Sequence, residues 1–461
     1  MVGRPQPVQL VRGLGLLDAT LLIVGSVIGS GIFFAPSIMA AYLQSPGLLL
    51  GLWVTGGLLT LAGALSYAEL AAAMPRAGGQ YVFLSEAFSP LFGFLYGWTL
   101  LLAINTGFVA AVAVAFAKAL GYFVPGIGEE HALVSVLGRT FTTAQLAALV
   151  VIAVLTWLNA TGLRAGATVQ NLFTFAKLGA LGVLVALAVV TARGSFAHFQ
   201  PAGSLALGPA GLTVGLFAAL AGAMSKALFS YDAWYTVTFA AEEVKDPERN
   251  LPRALVLGTL GVTVAYTATV AVYLYMVPIG EMAAVTENRI GTEAAVRMIG
   301  PAGGAFIAVA ILVSTFGCVN GLILAGARVV YAMGRDGLFF RGAARVHPRY
   351  RTPAAALLLQ GLVAGALTLT GTFSDLLTLT AFTSLLFNVL TVVGLFVLRR
   401  RRPDLPRPYR AWGYPAVPLL FVAVALFFLA YMPVADPRNT GLGLLLTATG
   451  VPAYLYWRRH R

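Results

Sequence analysis

The chain has 461 residues, of which 59% are hydrophobic and 10% are charged, and its formal net charge is +13. Soluble globular domains are about 25% charged, so this composition excludes a soluble globular protein. The mean hydropathy of +0.85 also indicates a membrane protein. Apolar runs of about 20 residues, long enough to cross a bilayer, recur along the chain. The composition therefore predicts an all-α polytopic membrane protein.

About twelve apolar segments are long enough to be membrane spans. No soluble domain or low-complexity linker separates them, so we expect one transmembrane domain over residues 1–461. The segments cover residues 16–43, 47–72, 90–119, 142–160, 168–192, 211–240, 253–278, 301–332, 353–370, 374–398, 415–433 and 439–457.

The basic residues are concentrated in alternate loops. With the N-terminus placed in the cytoplasm, 22 of the 30 Lys and Arg residues fall on the cytoplasmic side, 6 on the outer side and 2 within spans. This asymmetry predicts a multi-pass protein of the cell membrane with both termini cytoplasmic. Topology then explains the positive charge, together with some affinity for anionic membrane lipid, and nucleic acid is not expected as a partner.

The first apolar segment contains a run of helix-breaking residues at 25–33 (GSVIGSGIF). Each glycine costs about 1 kcal/mol of helix propensity and permits non-helical dihedral angles, so we expect the helix to open there. In lipid, opened backbone is tolerated only where it lines a cavity inside the protein or binds a ligand. The run therefore predicts a binding site.

A second interruption falls in the sixth segment, where residues 229–234 (FSYDAW) place polar and ionisable groups in an apolar helix. Interrupted helices at spans one and six are typical of secondary transporters built from two inverted repeats. We expect repeat one at about residues 16–192, repeat two at about 211–398, and two peripheral helices at about 415–457.

Three charged residues, Lys177, Lys226 and Asp232, lie deep within predicted spans, where charges are costly and usually functional. Lys177 lies close to the middle of the fifth span, too deep for its ammonium group to reach the membrane surface. It is either a structural lysine bonded to backbone carbonyl groups or a functional buried cation or proton carrier. Lys226 and Asp232 flank the second interruption. Either they form an ion pair, or Asp232 faces a substrate ammonium or takes part in proton transfer.

The two interruptions together suit a zwitterion. The half-helix that begins near Ser30 and Gly31 offers free N–H groups and a positive dipole end, which suit a carboxylate. The half-helices that end near Val27 and near Phe229 and Ser230 offer free carbonyl groups, which suit an ammonium. An α-amino acid carries both groups, so the pattern predicts an amino acid site.

The motifs at these interruptions resemble those of the amino acid/polyamine/organocation (APC) superfamily of transporters, and within it the L-type amino acid transporter branch. Four further motifs carry the resemblance, in order along nearly the whole chain: residues 75–81 (PRAGGQY), 242–254 (EEVKDPERNLPRA), 314–317 (STFG) and 334–337 (GRDG). The resemblance implies a LeuT-type 5+5 inverted repeat with discontinuous helices 1 and 6, two peripheral helices, and sodium-independent amino acid transport.

The resemblance also implies roles for single residues. The backbone N–H groups of the second half-helix would hold the substrate carboxylate, carbonyl groups of the interruptions would approach its ammonium, and Phe229 would act as a lid toward the outside. The implied substrate-binding residues are Val27, Ser30, Gly31, Phe229, Ser230 and Asp232. Lys177 would stand where sodium binds in sodium-coupled relatives, bridging Gly25 and Ser314.

Two departures limit the resemblance. Asp232 and Ala233 stand where relatives often have small residues, commonly Gly, which predicts a tighter or more acidic pocket. Animal light chains of this branch pair through a cysteine in the outer loop after span three. Residues 121–141 contain none, and Cys318 is the only cysteine in the chain, so no disulfide-linked heavy subunit is expected.

The charged loop 242–253 has two interpretations. It is either a solvated connector, or Glu242, Glu243 and Arg249 form inner-gate ion pairs with Arg76 or Arg335 that break as the inside opens.

We expect a sodium-independent amino acid transporter that works by alternating access, as an exchanger or a proton-coupled importer. The alternatives are an amine or polyamine carrier, and an amino acid sensor that does not translocate. No enzyme activity, cofactor or metal is expected. The sequence lacks HExxH, GxSxG and phosphate-loop motifs, and its four histidines are scattered over loops and the C-terminal tail.

Overall fold

The computed structural model describes residues 10–136, 139–200, 215–370 and 373–460, most of them in α-helices. The helices are, in chain order, α1 (Leu16–Val27), α2 (Gly31–Tyr42), α3 (Pro46–Ala73), α4 (Gln80–Ala87), α5 (Pro90–Thr99), α6 (Asn105–Leu120), α7 (Thr143–Ala160), α8 (Leu163–Thr191), α9 (Leu216–Tyr231), α10 (Pro247–Met276), α11 (Ile279–Met282), α12 (Ile290–Ile299), α13 (Pro301–Arg335), α14 (Ala354–Thr370), α15 (Phe373–Arg401), α16 (Ala416–Ala435) and α17 (Pro437–Arg459). A π-helical turn, Leu100–Ile104, joins α5 to α6.

Eight helical segments of the described chain are long and apolar enough to cross a membrane, and the number is nine if the bent pair α1 and α2 is counted as one span. The protein is thus a mostly helical polytopic membrane protein, as the composition predicts. Helix α14 is apolar but shorter than these spans. The first residues of the predicted sixth segment, 211–214, lie outside the described residues. The number of twelve spans stays a prediction.

The first span is interrupted inside the run 25–33. Helix α1 ends at Val27, α2 begins at Gly31, and the two axes are bent by 42°. The glycine at position 25 lets α1 approach α8 closely, because a Cβ atom there would lie 2.0 Å from Gln170 Nε2 and 2.3 Å from Thr174 Oγ1. Any larger residue would push the broken span away from α8.

The predicted sixth span is interrupted where α9 ends. The chain turns after Tyr231 and continues as a 3-10 helix over Thr236–Glu243. Ala233 has a φ of +69°, a left-handed conformation that costs a non-glycine residue about 1–2 kcal/mol. Its N–H donates to Asp232 Oδ1 at 2.8 Å, which helps to hold the turn.

The two interruptions meet in the middle of the helix bundle. Helix α1 packs against α8, α10 and α13, and α9 packs against α2 and α3. A Cβ atom at Gly31 would lie 2.6 Å from Ser230 Oγ, so the start of α2 touches the end of α9. The polar backbone of both interruptions is therefore gathered in one place.

One β-hairpin departs from the all-α prediction. Strands β1 (Ala132–Val136) and β2 (Arg139–Thr142) pair antiparallel, with Val134 opposite Phe141. The hairpin lies in the loop between α6 and α7. Its β-branched and aromatic residues favour strands, and the loop is too polar to be a span, so only its local pairing was missed.

Candidate functional site

Lys177 lies on α8 beside the interruption of the first span, with 1% of the residue exposed. Its Nζ donates hydrogen bonds to the carbonyl oxygens of Gly25 at 2.8 Å, Ile28 at 2.7 Å and Ser314 at 2.8 Å. An ammonium group has three N–H donors, so all of them are used. The lysine ties the broken span to α13 and fixes a positive charge at the interruption.

Two side chains of α13 bind further carbonyl groups of the interruption. The Ser314 hydroxyl lies 3.0 Å from Ile28 O and 2.9 Å from Gly29 O. The thiol of Cys318 donates to Ser26 O at 3.0 Å. A helix leaves its last carbonyl groups without intrahelical donors, and here neighbouring helices supply them. The opened backbone is thus satisfied inside the protein, as a lipid environment requires.

Tyr266 of α10 connects the two interruptions. Its buried hydroxyl lies 3.0 Å from Val27 O and 3.1 Å from Ser230 O. One hydroxyl hydrogen serves two carbonyl oxygens, and each oxygen keeps a lone pair for a further donor. The sequence reasoning missed this residue, because a tyrosine in an apolar helix carries no signal of which backbone its hydroxyl contacts.

The start of α2 brings N–H donors to the end of α9. The first N–H groups of a helix have no intrahelical acceptor, and within the described part of the chain those of Ser30 and Gly31 have no other backbone acceptor. They lie beside Ser230, which is buried and in contact with Gly31. Free N–H groups and carbonyl groups therefore stand side by side, an arrangement that can bind carboxylate and ammonium groups of one small molecule.

Phe229 borders this site. It is half-buried, and its ring stacks on that of Phe108 of α6 with 5.3 Å between centroids and 21° between planes. The pair joins α6 to α9 next to Ser230. A ring in this position can cover the site, and its role as a lid stays a prediction.

The side chain of Asp232 faces a different space. It lines a cavity of about 50 Å³ whose walls come from α3, α9, α15, α16 and the turn after α9. Phe229 also lines this cavity, whereas Ser30 and Gly31 do not, so the cavity adjoins the paired interruptions at Phe229 without including the N-terminus of α2. The structure does not bring this carboxylate to the paired interruptions.

Lys226 does not pair with Asp232. Within the described residues no ion pair of 4.0 Å or less joins them, and Lys226 instead interacts electrostatically with Asp436, just before α17. The interpretation of Lys226 and Asp232 as a local ion pair is therefore wrong. Both lie in α9 or directly after it, but their side chains are directed to different neighbours.

A buried ion pair joins α13 to the loop that follows the predicted sixth span. Arg328 of α13 and Glu243 lie 2.6 Å apart from Nε to Oε2 and 3.0 Å apart from Nη2 to Oε1, and neither side chain is more than 1% exposed. The carbonyl oxygen of Glu243 also accepts the N–H groups of Gly13 and Leu14. The segment before α1, the loop after span six and α13 are thus locked together.

Glu242 forms a second, more exposed pair in the same loop. Its carboxylate lies 2.7 Å from Arg335 Nη1, which supports the ion-pair interpretation of the loop 242–253. Arg76 pairs instead with Glu86 at 2.6 Å. The sequence reasoning did not identify Arg328 as a partner, because the position of a residue in an apolar segment does not show which loop its side chain contacts.

Comparison with known proteins places these features in a family. A family model of amino acid permeases matches residues 14–451. The chain is 30% identical over 454 residues to the serine/threonine exchanger SteT of Bacillus subtilis, which covers 98% of both chains. It is 30% identical over 455 residues to Asc-type amino acid transporter 1 of Mus musculus, covering 98% of this chain and 82% of the relative. It is 31% identical over 459 residues to large neutral amino acids transporter small subunit 2 of Mus musculus, with the same coverage.

Proposed function

Because the chain belongs to the amino acid permease family of the APC superfamily and is an amino acid transporter rather than an enzyme, we propose that it works by alternating access without sodium. It is a multi-pass membrane protein whose substrates are amino acids. The observation that carries sodium independence is the set of three hydrogen bonds from Lys177 to Gly25, Ile28 and Ser314. The resemblance implies that sodium binds at this position in sodium-coupled relatives, and here the ammonium occupies these carbonyl oxygens.

The substrate lies between the two interruptions in this proposal. Its carboxylate binds the N–H groups of Ser30 and Gly31, where the dipole of α2 is positive. Its ammonium approaches carbonyl groups at Val27 and Ser230, whose oxygens keep lone pairs beside the Tyr266 hydroxyl. The remaining predicted contacts are the carbonyl groups of Phe229 and Asp232, with the Phe229 ring as the lid.

The same proposal includes the architecture and the setting of the chain. We assign a LeuT-type fold of twelve spans in one domain, with repeats at about residues 16–192 and 211–398 and peripheral helices at about 415–457. Both termini are cytoplasmic in the cell membrane, in contact with lipid and not with nucleic acid. The free buried Cys318 supports the absence of a disulfide-linked heavy subunit.

Alternating access then uses the ion pairs at the cytoplasmic end. Arg328–Glu243 and Arg335–Glu242 hold the loop after span six against α13, and the inside opens when they separate. The buried pair is the costlier one to break while its charges stay enclosed, since each would then be an unpaired buried charge, whereas the partly exposed pair is solvated.

Counterflow in proteoliposomes tests the function. Vesicles are loaded with serine, threonine, large neutral amino acids or polyamines, the first three being suggested by the relatives, and uptake of a labelled amino acid is followed in choline buffer. We expect uptake driven by internal amino acids with or without sodium. A sodium requirement contradicts the role of Lys177. Exchange of polyamines alone points to an amine carrier, and binding without flux points to a sensor.

A further inference from the structure

We propose that the carboxyl group of Asp232 binds a proton that is transported together with the amino acid, in a cavity that adjoins the amino acid site at Phe229. This inference rests on the proposed function, and it selects proton-coupled import over obligatory exchange.

The cavity has the size for water and not for an amino acid. Its volume is about 50 Å³, whereas one water molecule needs about 10–15 Å³ of such space and ligand pockets measure about 300–1,000 Å³. Its wall carries the polar groups of Asp232, Ser384 and Asn388 among mainly apolar side chains such as Phe421 and Phe428. A few water molecules can therefore reach the carboxyl group, and in this conformation the space is smaller than a ligand pocket.

No positive charge balances the carboxylate within the described residues. The titratable groups that face it are phenols: Tyr235 on its own turn, Tyr67 of α3 and Tyr96 of α5. The cavity residues of α15 and α16 carry no ionisable group, and Lys226 of α9 interacts with Asp436 instead. An unpaired carboxylate in a membrane is costly, and binding one proton removes the charge.

The hydrogen bonds around Asp232 accept either protonation state. Its Oδ1 accepts the Ala233 N–H at 2.8 Å, and the hydroxyl groups of Tyr235 and Ser384 interact with the carboxylate and lie 2.8 Å from each other. A hydroxyl group donates to a carboxylate and accepts from a carboxylic acid. Both states are thus satisfied by a rotation of the hydroxyl hydrogens.

Buried polar side chains extend from the cavity along α15. Ser384, Asn388 and Thr391 share one face of this helix, being four and three residues apart. Asn388 Oδ1 accepts the Tyr67 hydroxyl at 2.7 Å and Gln80 Nε2 at 3.1 Å, and Gln80 Nε2 lies 3.2 Å from Thr391 Oγ1. The series points to the end of α15 that the charge distribution predicts to be cytoplasmic, which gives a released proton a polar route.

A metal ion fits this place less well than a proton. Hard cations such as Ca²⁺ and Mg²⁺ take about six or more oxygen ligands. Here one carboxylate, the hydroxyls of Tyr235 and Ser384, and the already bonded Asn388 Oδ1 are available. No group of three or more His, Cys, Asp or Glu side chains suited to a metal occurs in the part of the chain that the structure describes.

The carboxyl group is linked to the amino acid site through one turn of backbone. The Asp232 N–H donates to Phe229 O at 3.1 Å, and Ser230 between them touches Gly31. The same carboxyl group holds the left-handed Ala233. A change in its charge therefore acts directly on the end of α9, where the substrate ammonium is proposed to bind.

Substrate-dependent proton uptake tests the inference. Proteoliposomes containing a trapped pH-sensitive dye receive an external amino acid that the protein exchanges in counterflow, and internal acidification is compared with labelled uptake. We expect the wild type to acidify the lumen at a fixed ratio of protons to amino acid. Asp232→Asn, which cannot bind the proton, should lower that ratio at least about tenfold. The ratio is independent of the rate, so slower transport by the variant does not affect it.

Two further variants complete the experiment. Asp404→Asn removes an exposed carboxylate whose side chain is 73% accessible, and it should keep the wild-type ratio. Ser384→Ala keeps the carboxyl group but removes one hydroxyl partner, so it should displace the pH midpoint of proton uptake. This variant tests the site if the Asp232→Asn protein does not fold. An unchanged midpoint in Ser384→Ala would contradict the proposed site.

Two results would overturn the inference while leaving the proposed function intact: wild-type exchange without acidification, and an undiminished ratio in Asp232→Asn. Amino acid uptake coupled to labelled sodium that Asp232→Asn abolishes would overturn both the inference and the sodium independence of the proposed function. The absence of any counterflow by the wild type would instead refute the proposed function itself.

Discussion

Replacing Lys177 with methionine tests the centre of the site. Methionine matches the length and apolar character of the lysine stem but has no donor. The substitution Lys177→Met removes three hydrogen bonds and leaves the carbonyl groups of Gly25 and Ser314 without this partner, while Ile28 O keeps the Ser314 hydroxyl. The packing is preserved and the polar connection between the first span and α13 is lost.

The expected cost follows from the Gly25 carbonyl group, because Ser314 lies inside α13 and its carbonyl oxygen keeps the helical N–H donor four residues on. A buried acceptor left without a donor costs about 1–3 kcal/mol. At about 1.4 kcal/mol per factor of ten, this corresponds to about a 5- to 150-fold loss of turnover if the bond stabilises the rate-limiting transition state and not the ground state. Turnover should fall by at least about fivefold.

Counterflow rates of detergent-purified, monodisperse protein measure the effect, with thermal unfolding as a check of the fold. Lys226→Met is the matched control, since it removes the other membrane lysine, which is not bonded to either interruption. The control should keep turnover within about threefold of the wild type. A folded Lys177→Met protein with turnover in that same range would refute the role assigned to Lys177.

Three other substitutions test the Phe229 lid, the Tyr266 hydroxyl that contacts both interruptions, and the buried ion pair of Arg328 with Glu243. Phe229→Ala loses a stacked ring pair worth about 0.5–1.5 kcal/mol and should raise KM or lower turnover about 2- to 10-fold; unchanged kinetics would argue against a lid. Tyr266→Phe should raise KM by a similar factor, because the hydroxyl shared by the two interruptions is lost. Tyr273→Phe, in the same helix, removes a hydroxyl with no hydrogen-bond partner among the described residues and should change nothing. Arg328→Met leaves a buried carboxylate unpaired and should lower the free energy of unfolding by about 3–5 kcal/mol. The half-exposed pair broken by Arg335→Met should cost no more than about 1 kcal/mol, and equal melting temperatures for the two variants would contradict this order.

The helix interruptions could be predicted because their cause is local. Residues 25–33 combine three glycines with two serines, and the break at 28–30 falls among them. Membrane depth alone singled out Lys177, since a charge at that position needs a partner inside the protein. Composition was sufficient to predict a polytopic helical membrane protein, because a chain whose surface contacts lipid must be mostly apolar.

The partners across helices could not be predicted in the same way. Tyr266, Ser384 and Arg328 each contact a residue tens to more than a hundred positions away in the chain. Helical spacing shows which residues share a face, but not which neighbouring helix that face meets. The direction of the Asp232 side chain was undetermined for the same reason, since only packing against α15 and α16 forms its cavity beside the amino acid site.

The central claim is that the start of α2 and the end of α9 bind the two charged groups of an amino acid without sodium. Its most direct test is competition in sodium-free counterflow between an exchanged amino acid, its decarboxylated amine and its N-acetyl derivative. We predict that only the intact amino acid competes, because each derivative lacks one of the two charges. Equal inhibition by the amine would contradict the carboxylate contact at Ser30 and Gly31, and equal inhibition by the N-acetyl derivative would contradict the ammonium contact at Val27 and Ser230.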